Sequence, residues 1–312
     1  MNGNPFHPAT SGYPRDLRGY GRDRPDPAWP GGAALAVQFV LNYEEGGEHS
    51  VLHGDAHAES FLAEHFTGPP RAGRHASIEG IFEYGSRVGF WRLWDLFTAR
   101  AVPVTVFGVT MALARHPEAV AAMREADWEI ASHGLRWIDH STLAEADERR
   151  YLTDTMALHR TVCGAGPEGW YLGRASPNSL RLLTELTQPL YLSDFYNDEL
   201  PYWRVIGEAP QLVLPYTLDA NDMRFLTAPG FGNGEDFARY LIDSFDVLLA
   251  EGLRGSPGLM SIGLHPRITG RPGRLAGLAR FLDHVAKHPQ VWLARRDQVA
   301  RHWRARFPYR AP

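Results

Sequence analysis

With a single cysteine, Cys163, this 312-residue chain cannot form an internal disulfide, and its fold does not depend on an oxidising compartment. Cys163 falls late in a helical pattern, just before Gly164, and reads as a structural thiol. Long apolar runs are missing too: none approaches the roughly 20 residues that span a bilayer. Residues Met1 to Gly12 lack the basic start and apolar core of a secretory signal, so the expected address is cytoplasmic. Neither charge sign dominates. The net charge is −4 with acids and bases interspersed, which argues against a nucleic-acid or polybasic membrane surface. Absent motifs exclude further classes. There is no Walker A run, no Gly-x-Gly-x-x-Gly after a strand and no Gly-x-Ser-x-Gly elbow. His-Glu-x-x-His and Cys-x-x-Cys are also lacking, which removes the common zinc signatures.

What remains is 44% hydrophobic residues, enough for a large core. Residues 1–32 are rich in Pro, Gly, Arg and Asp and read as an extended arm. Its anchors Phe6, Tyr13, Leu17, Tyr20 and Trp29 can pack on the body or on a neighbouring subunit. Residues 33–312 read as one α/β domain. Apolar runs such as Ala33–Leu41, Val102–Val109 and Gly258–Leu264 alternate with helical patterns such as Ile78–Arg100, Thr142–Val162, Gly234–Leu253 and Arg295–Phe307. Seven or eight such alternations predict a parallel sheet covered by helices, open or closed as a barrel. Thr187–Gln211 is polar and reads as a long loop over the site.

In a β/α barrel the chemistry lies where strands end. Asn42-Tyr43-Glu44-Glu45-Gly46-Gly47 follows the first apolar run, and Ser132-His133-Gly134 follows Trp128–Ala131. Gly173-Arg174 follows Trp170–Leu172, and Asp194 follows Leu190–Ser193. Asn221 and Asp222 come after Leu212–Tyr216, and His265-Pro266-Arg267 after Gly258–Leu264. Carboxylates here serve as bases, metal ligands or solvated charges. Histidine shuttles protons near neutrality, although a lone histidine is as readily structural. Arg174 can orient a carbonyl or carboxylate, or pair with Asp194 or Asp198. Together these groups suggest a hydrolase.

The strings YPRDLRGYG, FVLNYEEGGE, VLHGD, SHGLRWID, SDFYNDELPYW, PYTLDANDMRF and SIGLHPRITGRP carry a resemblance over nearly the whole chain. It resembles the polysaccharide deacetylase superfamily and, within it, the allantoinase branch of purine (urate) breakdown. That resemblance implies a distorted (β/α) barrel of about seven strands and a homo-oligomer, a tetramer. The superfamily motif Thr-Phe-Asp-Asp-Gly falls on Asn42 to Gly46, so the base would be Glu44 and a metal ligand Glu45. His-Ser-x-x-His falls on His133 to Trp137, which keeps the first metal histidine and replaces the second with tryptophan. The late Leu-x-x-His motif ends on His265, the catalytic acid of the family. Tryptophan has no lone pair for a metal, and Glu45 with His133 is one ligand short of ordinary catalytic zinc.

The expectation is therefore a site without metal or other cofactor, whose catalytic residues are Glu44, Glu45, His133 and His265. Asn42, Tyr43, Trp137, Arg174, Asp194, Asn221 and Asp222 would bind a small ureide, and the ring amide of allantoin would be hydrolysed to allantoate. The alternatives are a metal-dependent cyclic-imide hydrolase or N-acetyl-sugar deacetylase, and a non-catalytic ureide or sugar binder.

Overall fold

The computed structural model describes residues 15–64 and 69–311. The first apolar run becomes β1 (Leu35–Tyr43), buried at every position. The elements then follow as α1 (Ala76–Tyr84), a π-helical turn (Gly85–Gly89), α2 (Phe90–Thr98), β2 (Val104–Gly108), α3 (Thr110–Arg115), α4 (Pro117–Glu125), β3 (Glu129–Ser132) and α5 (Glu145–Cys163). Next come β4 (Gly169–Trp170), α6 (Ser179–Leu186), β5 (Tyr191–Leu192), β6 (Tyr202–Ile206) and β7 (Ala209–Val213). The chain ends with α7 (Gly234–Leu253), β8 (Gly258–Leu264), α8 (Pro266–Thr269), α9 (Pro272–Val285), β9 (Val291–Leu293) and α10 (Arg296–Arg306).

The strands form one sheet in the order β6-β7-β5-β4-β3-β2-β1-β8, with β9 paired to the start of β1. Every pair is parallel except β6 with β7. The sheet curls into a half-barrel, as the alternation of strands and helices predicts. The strand count exceeds seven for two reasons. Residues 187–211, expected as a loop, contain β6, whose antiparallel hairpin with β7 extends the sheet edge. The short β9 takes the place beside β1 that β2 leaves free.

Side-chain alternation along β1 separates two apolar layers. Val37, Phe39, Leu41 and Tyr43 face outward into the layer beneath α1, α2 and α9, while Ala36 and Val40 face the barrel interior. The barrel is not closed by a ladder, since β6 and β8 are its two free ends. A single bridge joins Asn221 to Gly263. Fully buried Arg296 ties the seam from inside: it donates to Gln38 at 3.0 Å, Ser261 at 3.1 Å, Ser193 at 2.8 Å and the carbonyls of Leu214 and Pro215.

Of the arm's anchors, Trp29 is buried and its indole donates to the Gly258 carbonyl, while Tyr20 lies against Trp303. Leu17 is exposed, and Phe6 and Tyr13 lie outside the described residues. Cys163, half-buried at the end of α5, has its thiol pushed up to about 11 by burial, consistent with an inert structural role. Among the described residues no helix is long and apolar enough to cross a membrane.

Candidate active site

Three strand ends converge. Continuing the β1 alternation, Asn42 and Glu44 turn inward. The chain then reverses through Gly46 and Gly47. A Cβ on Gly47 would stand 2.3 Å from the Val109 side chain, so only glycine lets this turn pack on the neighbouring strand end. His133 follows β3, its amide bonded to the Gly108 carbonyl. His265 follows β8 and begins the short helix α8.

Glu44 is the hub. Its Oε1 lies 3.3 Å from His133 Nε2 and 3.5 Å from His265 Nε2, and its Oε2 lies 2.7 Å from Arg267 Nη2. Glu44, His133, His265 and Arg267 are all buried. Behind His265 stands Asp222. It accepts from His265 Nδ1 at 2.6 Å, from the His265 amide at 2.7 Å and from the Thr269 hydroxyl at 2.6 Å. These bonds fix the ring and leave Nε2 pointing at Glu44.

Charge arrangement sets the proton affinities. Burial works to raise the Glu44 pKa, but Arg267 and His265 outweigh it and hold the carboxyl well below the usual range. For His265 burial opposes the charged form, yet Asp222 and Glu44 push it up to about 9. Burial pushes Glu45 up to about 7 despite Arg267, with the Glu44 charge adding to the rise.

A stability profile follows. Folding favours the protonated forms of His265 and Glu45, so their contributions are full below the ordinary values of 6.5 and 4.5 and are lost as pH rises through about 9 and about 7. The melting temperature is expected to fall between about pH 6 and pH 9, and His265→Gln should flatten the alkaline part. Calorimetry showing the same slope in that variant would contradict the arrangement.

Glu45 does not share the inward face. Its Oε2 accepts from the Glu44 amide and its Oε1 from the Arg267 amide. Its carboxylate lies so close to Gly85 that a Cβ there would stand 2.3 Å from Oε1. Tyr43 is corrected from the expected substrate set. It points outward into the core against Phe90, with its hydroxyl 2.5 Å from His116 Nδ1. Asn221 and Asp222 are likewise engaged within the protein, not free for a ligand edge. Asn221 caps the turn at Met223, and Asp222 serves His265 and Thr269.

Asp194 accepts from the Leu172 and Gly173 amides and so shapes the loop that carries Arg174. Arg174 pairs with neither Asp194 nor Asp198. Its guanidinium lies 4.0 Å from the centroid of Trp137, with Nη2 lacking a partner among the described residues. Asn42 donates to the Tyr216 hydroxyl at 2.8 Å and to the Leu264 carbonyl at 3.1 Å.

Sequence reasoning places Arg267 at a strand end but gives it no role, and it misses Thr269, Tyr171 and Tyr216 altogether. Tyr171 packs against His133 with ring centroids 4.9 Å apart and shares a hydrogen bond with half-exposed Tyr196. Half-exposed Phe61 stacks on Trp137. These two outer rings frame the solvent side of the site. A cleft of about 1070 Å³ lies at the barrel seam beneath Leu17 and Tyr20; Tyr196 and Tyr216 line it, but Glu44, His133, His265 and Arg267 do not. The position of Arg267, two residues after a strand-end histidine, was the available signal.

The residues present do not fit a catalytic metal. The carboxylate in contact with His133 is Glu44, while Glu45 is bound to backbone amides and lies 3.7 Å from Arg267 Nη1. A guanidinium contacts both carboxylates, supplying the positive charge a cation would bring. Trp137 offers only an N–H donor.

The polysaccharide deacetylase family model matches residues 72–184. A Schizosaccharomyces pombe protein named "Putative polysaccharide deacetylase" is 42% identical over 316 residues, covering 95% of this chain and 99% of that protein. The crystal structure of a probable polysaccharide deacetylase from Pseudomonas aeruginosa PAO1 matches with a TM-score of 0.92 and 51% identity, covering 96% of this chain and all of the other. That of Puue allantoinase matches with a TM-score of 0.93 and 50% identity over the same shares.

Proposed function

Since the chain belongs to the polysaccharide deacetylase family of hydrolases, we propose that it is an allantoinase, opening the hydantoin ring of allantoin to allantoate without a metal. The observation that carries this reading is the donor set: one carboxylate held between two imidazoles and a guanidinium, with tryptophan where a third metal ligand would stand. The likeness to Puue allantoinase supports the substrate. A cytoplasmic address, a tetrameric assembly and a place in purine breakdown go with this proposal.

The geometry supports the following division of roles. Glu44 only accepts hydrogen bonds, so His133 presents Nε2–H to it and keeps a lone pair on Nδ1, which has no partner among the described residues. His133 thus takes the proton of the attacking water, with Glu44 stabilising the imidazolium. Glu44 itself, clamped by Arg267, is too weak a base for that step. Arg174, whose Nη2 has no partner among the described residues, would receive the charge growing on the carbonyl oxygen. His265, protonated and held by Asp222, gives its proton to the ring nitrogen as the C–N bond breaks. The products are a carboxylate and a freed ureide nitrogen. Glu45 anchors Arg267 and touches neither water nor substrate.

Purified protein given racemic allantoin, with and without a chelator, tests the reading by allantoate formation. Turnover that survives chelation is expected. Turnover lost on chelation and restored by a divalent ion would instead mean a metal-dependent hydrolase. No turnover on allantoin, a cyclic imide or an acetylated sugar would mean a binding protein. In the pH profile, kcat/KM is expected to fall above about pH 9 as His265 loses its proton. A rate still climbing at about pH 10 would remove His265 as the acid.

A further inference from the structure

Helices α7 and α9 run side by side and pack tightly near their N-termini. A Cβ on Gly277 of α9 would stand 2.1 Å from the Gly234 carbonyl of α7, so the two backbones meet almost directly. At the other end of the pair, where the parallel strands begin, Asp246 of α7 faces His284 in the last turn of α9, and His288 follows four residues later. The amide of His288 bonds to the Val285 carbonyl in the turn that closes α9, and this turn brings the second imidazole back beside the first. Their ring centroids are 5.0 Å apart, and Phe245 packs against both at 5.4 and 5.3 Å. His284 Nε2 lies 2.7 Å from Asp246 Oδ1. One ligand atom from each of the three residues lies within 4.8 Å of the others.

We propose that Asp246, His284 and His288 form a site for a divalent transition-metal ion of the zinc type. A surface ion pair would need only Asp246 and His284. The second imidazole has no hydrogen bond among the described residues and still converges on the same point. Two histidines four apart, one in the last turn of α9 and one just past its end, with a carboxylate from a neighbouring helix, are a donor set of the borderline character that suits zinc, cobalt, nickel or copper. Asp246 is half-exposed, which leaves the fourth position to water. Zinc replaces the Asp246–His284 hydrogen bond by two metal bonds and pins α7 to α9. The catalytic groups stand at the opposite end of the strands, so turnover does not need this ion.

Titration of the metal-free full chain with Zn²⁺ by calorimetry, and with Co²⁺ by visible absorption, tests the assignment. One equivalent is expected, with nitrogen-ligand absorption for cobalt and a melting temperature raised by zinc. Binding should be lost in His284→Ala/His288→Ala, weakened at least tenfold in Asp246→Asn and unchanged in Glu44→Gln, while the double variant keeps wild-type turnover. Should the double variant not fold, the half-buried single change His288→Gln serves in its place. Absence of stoichiometric binding, or binding that persists in the histidine variants, overturns the site. Loss of binding in Glu44→Gln alone would place the metal at the catalytic centre instead.

Discussion

Arg267→Met is expected to cost about 3–5 kcal/mol of stability and to abolish turnover. Arg267 is 1% exposed, with Glu44 at 2.7 Å, Glu45 at 3.7 Å and the Phe82 ring centroid at 4.4 Å. Methionine would fill much of the space and leave the two carboxylates buried without their cation. A buried charge stripped of its partner is far more costly than an exposed one. The variant should recover part of its stability in acid, because protonating Glu44 and Glu45 removes the uncompensated charge. Lysine is expected to be a poor substitute, since one ammonium cannot match a planar fork set between two carboxylates. Urea unfolding at about pH 5 and pH 8 measures the effect. A loss below about 1 kcal/mol at pH 8 would mean that solvent or other groups already neutralise this pair.

The second large effect is catalytic. His265→Ala is expected to lower kcat on allantoin by about 10²–10⁴ with little change in KM, because it removes a proton delivered only in the transition state. Asp222→Asn should be milder but should shift the alkaline limb of the pH profile downward, since the neutral amide no longer stabilises the imidazolium. Glu44→Gln should also lose kcat, as the amide cannot stabilise the His133 imidazolium. Steady-state kinetics on folded variants decides. If His265→Ala and Glu44→Gln both keep near-normal kcat, the site is not the catalytic one.

Much of the fold could be read in advance because its signals are local. Gly258–Leu264 and Gly234–Leu253 coincide with the strand and helix observed, and Pro117–Glu125 is likewise a helix. Apolar runs and helical periodicity record burial directly. The hairpin of β6 was hidden because Tyr202–Ile206 is only partly buried, so its composition is not that of a core strand. At the site, strand-end position pointed to Glu44, His133 and His265 without any geometry. Tyr43 was misplaced because side-chain alternation sends it outward into the core, although it lies between two inward-facing residues. Strand-end position makes Asp222 a ligand contact, whereas its oxygens are taken by His265, 43 positions away, and by Thr269.

The residue order alone determined that strands and helices alternate and that polar groups collect where strands end. Both follow from local patterning of apolar and polar side chains. Only the tertiary structure decided the pairing within that collection: Glu44 between His133 and His265, Glu45 turned toward Gly85, and Arg267 contacting both carboxylates. The physical reason is that these contacts join positions up to 223 residues apart, and angstrom-scale separations in a water-poor interior decide which charge stabilises which.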